Sequence, residues 1–235
     1  MKRTKPINSE LLKPIEPLTP AQESLWEQYA LGKNLVAYGC AGTGKTFCLL
    51  YQALKEVLTE STPYEKIYIV RSLVPTREIG FLPGTHEDKS FLYQIPYRNM
   101  VKHMFSMYTD KEFESLYDDL QRQETISFWS TSFLRGTTLD NAIIIVDEFE
   151  NLNFHELDSI MTRVGENSKI FFAGDASQSD LLKVTERTGI LDFMQILNGM
   201  PEFSKVEFGL EDIVRSGLVR SYLVSKINQG YDENI

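Results

Sequence analysis

The sequence predicts an α/β fold, a single lobe with a mainly parallel sheet flanked by helices, on three observations. Short β-branched or aromatic runs alternate with helical patterns along most of the chain, the order that builds right-handed parallel units. Residues 142–146 (Ala-Ile-Ile-Ile-Val) are the most hydrophobic run and lack the alternation of a half-exposed strand, as expected for a strand covered on both faces. Glycines at 39, 42 and 44 divide an apolar run from a helical one.

In chain order, Pro6, Pro14, Pro17 and Pro20 mark residues 1–20 as an extended segment on the surface, and 21–230 as the folded domain. Thr19 or Pro20 opens a helix to about Ala30, with Leu25, Trp26 and Tyr29 on its buried side. Asn34 to Tyr38 reads as a strand, and Leu50, Ala53, Leu54, Val57 and Leu58 recur at helical spacing after it. Lys66 to Val70 is a second strand, followed by a loop from Arg71 to about Lys89 that carries Pro75, Gly80, Pro83 and Gly84. Ser90 to Leu120 reads as two helical pieces, the first entered at Pro96; Thr125 to Trp129 and Ala142 to Asp147 are strands. Asn153 with Glu156 three residues on is a capping-box variant. It starts a helix whose stripe is Leu157, Ile160, Met161 and Val164, stopped by Gly165. A strand at Lys169 to Ala173, a helix near Leu191 to Leu197, a strand at Val206 to Phe208 and a helix from about Leu218 to Ile227 complete the order.

Composition sets bounds. A hydrophobic fraction of 42% supports a real core. No apolar run approaches the roughly 20 residues of a membrane span, and the basic N-terminus has no apolar stretch behind it. Cys40 and Cys48, the two cysteines, fit a reducing, cytoplasmic setting. A net charge of −9 argues against a broad basic face for nucleic acid, though not against a local basic channel. His86, His103 and His155 have no neighbours at ligand spacing, so no zinc site is expected.

The glycine-rich stretch reads Gly39, Cys40, Ala41, Gly42, Thr43, Gly44, Lys45, Thr46, which fits the phosphate-loop pattern G-x-x-x-x-G-K-[ST] between a strand and a helix. Its backbone N–H groups and the helix N-terminus suit a polyphosphate. Lys45 can reach the β- and γ-phosphates and Thr46 can ligate Mg²⁺. Asp147 and Glu148 end the buried strand, the first as the Mg²⁺ tether and the second to polarise an attacking water. Gln178 lies just beyond the Gly174-Asp175 strand end, where an amide can sense the γ-phosphate; an ordinary turn is the other reading. Gln22 is a candidate for the adenine edge, or a solvated helix-start glutamine. Arg215 is a candidate arginine finger, or a salt-bridge partner of Glu211 or Asp212.

With these pieces assembled, the chain resembles the PhoH-like family, phosphate-starvation-type ATPases related to the superfamily 1 helicase core. The resemblance is carried by Gln22, residues 39–46, Arg71 with residues 80–84 (Gly-Phe-Leu-Pro-Gly), residues 133–136 (Phe-Leu-Arg-Gly) with Thr138 and Leu139, Asp147 and Glu148 with Asn151, Thr162 and Arg163, Gly174 and Asp175 with Gln178 and Asp180, and residues 212–215 (Asp-Ile-Val-Arg). It implies a RecA-like P-loop NTPase that uses ATP and Mg²⁺ and couples hydrolysis to RNA or single-stranded nucleic acid. It also implies a homo-oligomer, with a hexameric ring as one form. Four positions depart from the family pattern: Phe149 for a small residue, Glu150 for glutamine, Ser216 for histidine and Thr137 for a basic residue. The last removes a charge that would have favoured a phosphate backbone. About thirty-five residues precede the loop, fewer than a separate domain needs.

Three functional classes remain at this level: a nucleic-acid-dependent ATPase with helicase character, a P-loop kinase, and an ATP-binding assembly module. With length for one lobe, the site is expected to be completed across a subunit interface by Arg215 or Arg220 of a neighbour. For the nucleic-acid face, Tyr93, Tyr97, Arg98, Lys102, His103, Phe105 and Tyr108 interleave rings and charge, as an RNA surface or, the preferred reading, as an amphipathic helix. Arg71, Arg77 and Arg135, on loops near strand ends, are better candidates for backbone phosphates.

Overall fold

The computed structural model describes residues 7–72, 86–107, 109–131, 136–175 and 184–229. Among them a six-stranded sheet runs in the order β3-β2-β4-β5-β1-β6, with β1 at Asn34–Gly39, β2 at Lys66–Arg71, β3 at Ile126–Ser130, β4 at Ala142–Asp147, β5 at Lys169–Gly174 and β6 at Phe203–Phe208. Every pairing is parallel. The helices are α1 (Pro20–Ala30), α2 (Lys45–Val57), α3 (His86–Met104), α4 (Asp110–Arg122), α5 (Phe154–Met161), α6 (Val184–Asn198) and α7 (Gly217–Asn228). This is the single parallel sheet flanked by helices that the sequence predicts. No described helix is long and apolar enough to cross a membrane.

The period-two geometry of β4 divides the core. Ile143 and Ile145 face a cluster with Leu25 of α1, Leu50 and Leu54 of α2, Tyr97 and Val101 of α3 and Phe113 of α4. Ile144 and Val146 face the opposite cluster, with Leu157 and Ile160 of α5 and Phe193 and Leu197 of α6. All six β4 residues are buried, which accounts for the uninterrupted apolar run.

Several boundaries differ from expectation. Pro96 lies inside α3 rather than at its start. Its ring is on the exposed side, where a backbone group without an intrahelical partner can reach water. α3 also begins at His86, so the expected loop ends sooner than Lys89; residues 73–85 lie outside the described set. α5 has its capping box at Asn153 and Glu156 but stops at Met161. Val164 instead forms a parallel bridge with Leu139, and that tertiary pairing ends the helix before Gly165. α6 and β6 begin earlier than their stripes suggested.

Residues 9–13 of the N-terminal segment are strapped to the domain. Lys13 N–H donates to Met104 O at 2.7 Å and Ser9 N–H to Leu58 O at 3.1 Å, and Leu12 bridges Phe105 in antiparallel fashion. Because the sheet is parallel, Gly39, Arg71, Asp147 and Gly174 all end strands at one edge. Arg71 pairs in register with Asp147, and Asp147 with Ala173. Ligands in open parallel sheets bind beyond this edge.

Candidate functional site

At that edge the glycine-rich loop turns from β1 into α2. Gly39 has φ +111°, and a Cβ there would lie 2.3 Å from Phe208 O, the oxygen that accepts from Cys40 N–H at 2.9 Å. Gly44, at φ +84°, precedes α2 with no side-chain cap, so the first N–H groups of the helix are left for an anion. Lys45, 8% exposed, folds over the loop. Its Nζ donates to Gly39 O (2.8 Å), Cys40 O (2.6 Å) and Thr43 Oγ1 (3.3 Å). Burial holds its ammonium below the usual lysine range, against the pull of Asp175 and Glu150.

Asp147 meets the loop directly. Thr46 Oγ1 donates to Asp147 Oδ1 at 2.7 Å and Tyr97 Oη to Oδ2 at 2.6 Å. Thr46 and Asp147, expected as metal-handling residues, are thus brought together, and their hard oxygen donors suit Mg²⁺. Tyr97 is 2% exposed, so it belongs to the core and not to a base-stacking surface. Arg98 pairs with Glu114 and Lys102 with Asp110, the arrangement of an amphipathic helix.

Glu148 takes a left-handed conformation, φ +51°, which turns the chain sharply after β4. Its carboxylate is ion-paired with Arg71, and Asn151 Nδ2 donates to Oε2 at 3.4 Å. Burial raises its pKa above the usual carboxylate value, with Arg71 opposing. Two residues on, Glu150 is 6% exposed and lies against Gly174, where a Cβ would come within 2.0 Å of its Oε2. Burial pushes its carboxyl up to about 8.

The other flank is a cleft of about 620 Å³ whose walls include Ile15, Leu18, Gln22, Phe47, His103 and Arg215. Gln22 is buried at 4% exposure. Leu18 N–H donates to its Oε1 and its Nε2 donates to Thr43 O, both at 2.9 Å. It is therefore a strut between the N-terminal strap and the phosphate loop, not a solvated glutamine. Arg215 lies on its own chain's loop: a Cβ on Gly42 would meet its Cγ at 2.9 Å, and Val214 N–H donates to Gly42 O at 3.1 Å. The two carboxylates offered as its alternative partners divide. Asp212 accepts from Ala21 N–H (3.2 Å) and Gly209 N–H (2.9 Å), while Glu211 packs by Gly209. Gln178 lies outside the described residues, as do Arg77, Arg135, Asp180 and residues 80–84.

Sequence reasoning missed three features here: the Tyr97 bond to Asp147, the Arg71–Glu148 ion pair and the inward turn of Glu150. Only the last had a visible signal, an acid where the family pattern has an amide.

Residues 14–227 match the family model described as PhoH-like protein. The chain is 30% identical over 208 residues to a PhoH-like protein of Bacillus subtilis, covering 87% of this chain and 60% of that protein. It is 31% identical over 193 residues to a PhoH-like protein of Mycobacterium leprae, covering 81% and 52%. The chain thus spans less than two thirds of the length of these relatives. Among solved structures it is distantly similar to unliganded Pif1 from Bacteroides sp, with TM-score 0.44 and 16% identity over 94% of this chain and 47% of that one.

Proposed function

The chain belongs to the PhoH-like family, and from that premise we propose that it binds ATP with Mg²⁺ and hydrolyses it, in a cycle coupled to RNA or single-stranded nucleic acid. The observation that carries the hydrolytic part is the Thr46–Asp147 bond of 2.7 Å, which joins the phosphate loop beside Lys45 to the end of β4 before Glu148.

In this reading the loop N–H groups from Gly42 to Thr46 cradle the phosphates, and Lys45 exchanges its loop carbonyls for β- and γ-phosphate oxygens. Thr46 and Asp147 would hold magnesium, which when bound neutralises charge between those phosphates. Glu148 accepts the proton of the attacking water, and Gln178 orients that water. Gln22 shapes the slot that receives the base by fixing Leu18 to Thr43. Arg215, beside Gly42, acts on the nucleotide of its own subunit. A neighbouring copy in a homo-oligomer can then supply the exposed Arg220 of α7, a helix with no buried residue. Coupling to nucleic acid is supported by the family and by cationic side chains near the strand ends, of which Arg71 is described.

Phosphate release from ATP, with and without an oligoribonucleotide at low salt, tests this directly. We expect turnover that rises with RNA, an effect that weakens as salt increases, and background turnover in Lys45→Ala. Hydrolysis indifferent to every nucleic acid would leave a stand-alone ATPase. ATP binding without hydrolysis would leave an assembly module, and transfer to an acceptor other than water a kinase.

A further inference from the structure

We propose that Arg71 is a positioning residue that holds Glu148 away from the attacking water until a phosphate of single-stranded nucleic acid takes its guanidinium. This rests on the function proposed above and names the link between its two halves.

Arg71 is the last residue of β2, in register beside Asp147, and its guanidinium is ion-paired with Glu148 and hydrogen-bonded to Tyr97. Asn151 donates to the same carboxylate oxygen, Oε2. A carboxylate tethered sideways to β2 by Arg71 is turned toward a neighbouring strand instead of a water at the phosphate loop. The contact opposes catalysis as long as it lasts.

The clamp is built to be released. Arg71 lies over the ring of Tyr93, 5.6 Å from its centroid, which pre-orients the guanidinium plane. Its Nε is buried with no hydrogen-bond partner among the described residues, so Glu148 does not satisfy the whole fork. The Arg71 side chain is 25% exposed and that of Glu148 38%; a ligand can therefore reach the pair from the sheet edge. Phosphate is the anion best matched to a planar, bidentate guanidinium. Because the pair is only partly exposed, its exchange requires a second anion to take the guanidinium in place of Glu148. When a backbone phosphate captures Arg71, Glu148 is freed for the water, and hydrolysis becomes conditional on nucleic acid.

The test is steady-state phosphate release by wild type, Arg71→Ala and Tyr93→Ala, each with and without oligouridylate, with melting curves to verify folding. Loss of the clamp should raise the RNA-free kcat of Arg71→Ala about two- to fivefold, the range set by a partly exposed ion pair. KM for ATP should stay unchanged, and RNA should give no further rise. Tyr93→Ala leaves the ion pair but removes its support, so a smaller rise in the same direction is expected even if Arg71→Ala is unstable. An RNA-free kcat at or below the wild-type value in both variants overturns the proposal and makes Arg71 a part of the active arrangement. If wild type ignores RNA while Arg71→Ala is faster, the nucleic-acid trigger is overturned and ATP hydrolysis stands. Absence of hydrolysis in wild type overturns the proposed function itself.

Discussion

Glu150→Gln should stabilise the nucleotide-free protein by an amount that grows with pH. The carboxyl sits in the one-turn helix that follows the left-handed Glu148, pressed against Gly174 and 6% exposed. Burial raises its pKa from 4.5 to about 8, with Asp147 and Glu148 adding repulsion. Below pH 4.5 the group is protonated in folded and unfolded chains alike, and it costs nothing. Between that value and about 8 only the unfolded chain releases the proton, so stability falls as pH rises through the window. Each pH unit there costs about 1.4 kcal/mol, which accumulates to about 3 kcal/mol between about pH 5 and pH 7.5. Glutamine has nearly the same shape and cannot ionise. Urea melts of both proteins at several pH values, without magnesium or nucleotide, give the difference directly. It should be small near pH 5 and approach 3 kcal/mol near neutrality, on the order set by linkage. A difference that stays constant across the window would refute the reasoning, because Glu150 would then ionise in the fold as it does in the open chain.

Two further substitutions test the loop. Gly39→Ala places a methyl group 2.3 Å from Phe208 O at φ +111°, and thermal melts should show a loss of about 2–4 kcal/mol; an unchanged melting curve would mean that β6 moves aside freely. Gln22→Ala breaks the link from Leu18 to Thr43 and should cost about 1–3 kcal/mol, with weaker binding of a fluorescent ATP analogue. A variant with wild-type stability that has lost only its preference for ATP over GTP would instead make Gln22 a reader of the base.

Much of the protein is local physics, and that part was legible from residues alone. The strand β1 announces itself through an apolar run, β2 and β4 through β-branched ones, α5 through the Asn153 and Glu156 capping box, and the phosphate loop through its glycines at 39, 42 and 44. The meeting of Thr46 and Asp147 also followed from sequence, because parallel strands must all end at one edge. Gln178 was expected there as well and lies outside the described residues.

What only the tertiary structure decided concerns which groups those side chains answer to. Pro96 inside α3, and α5 ending at Met161 in favour of the Val164–Leu139 bridge, are cases in which a contact between distant residues outweighed a local signal. Gln22 as a strut, Tyr97 on Asp147 and Arg71 on Glu148 join residues 21, 50 and 77 positions apart. A periodic pattern reports which face of an element is buried. It carries no information about which partner a polar side chain finds there, since that depends on strand order and on the free energy of satisfying buried groups together.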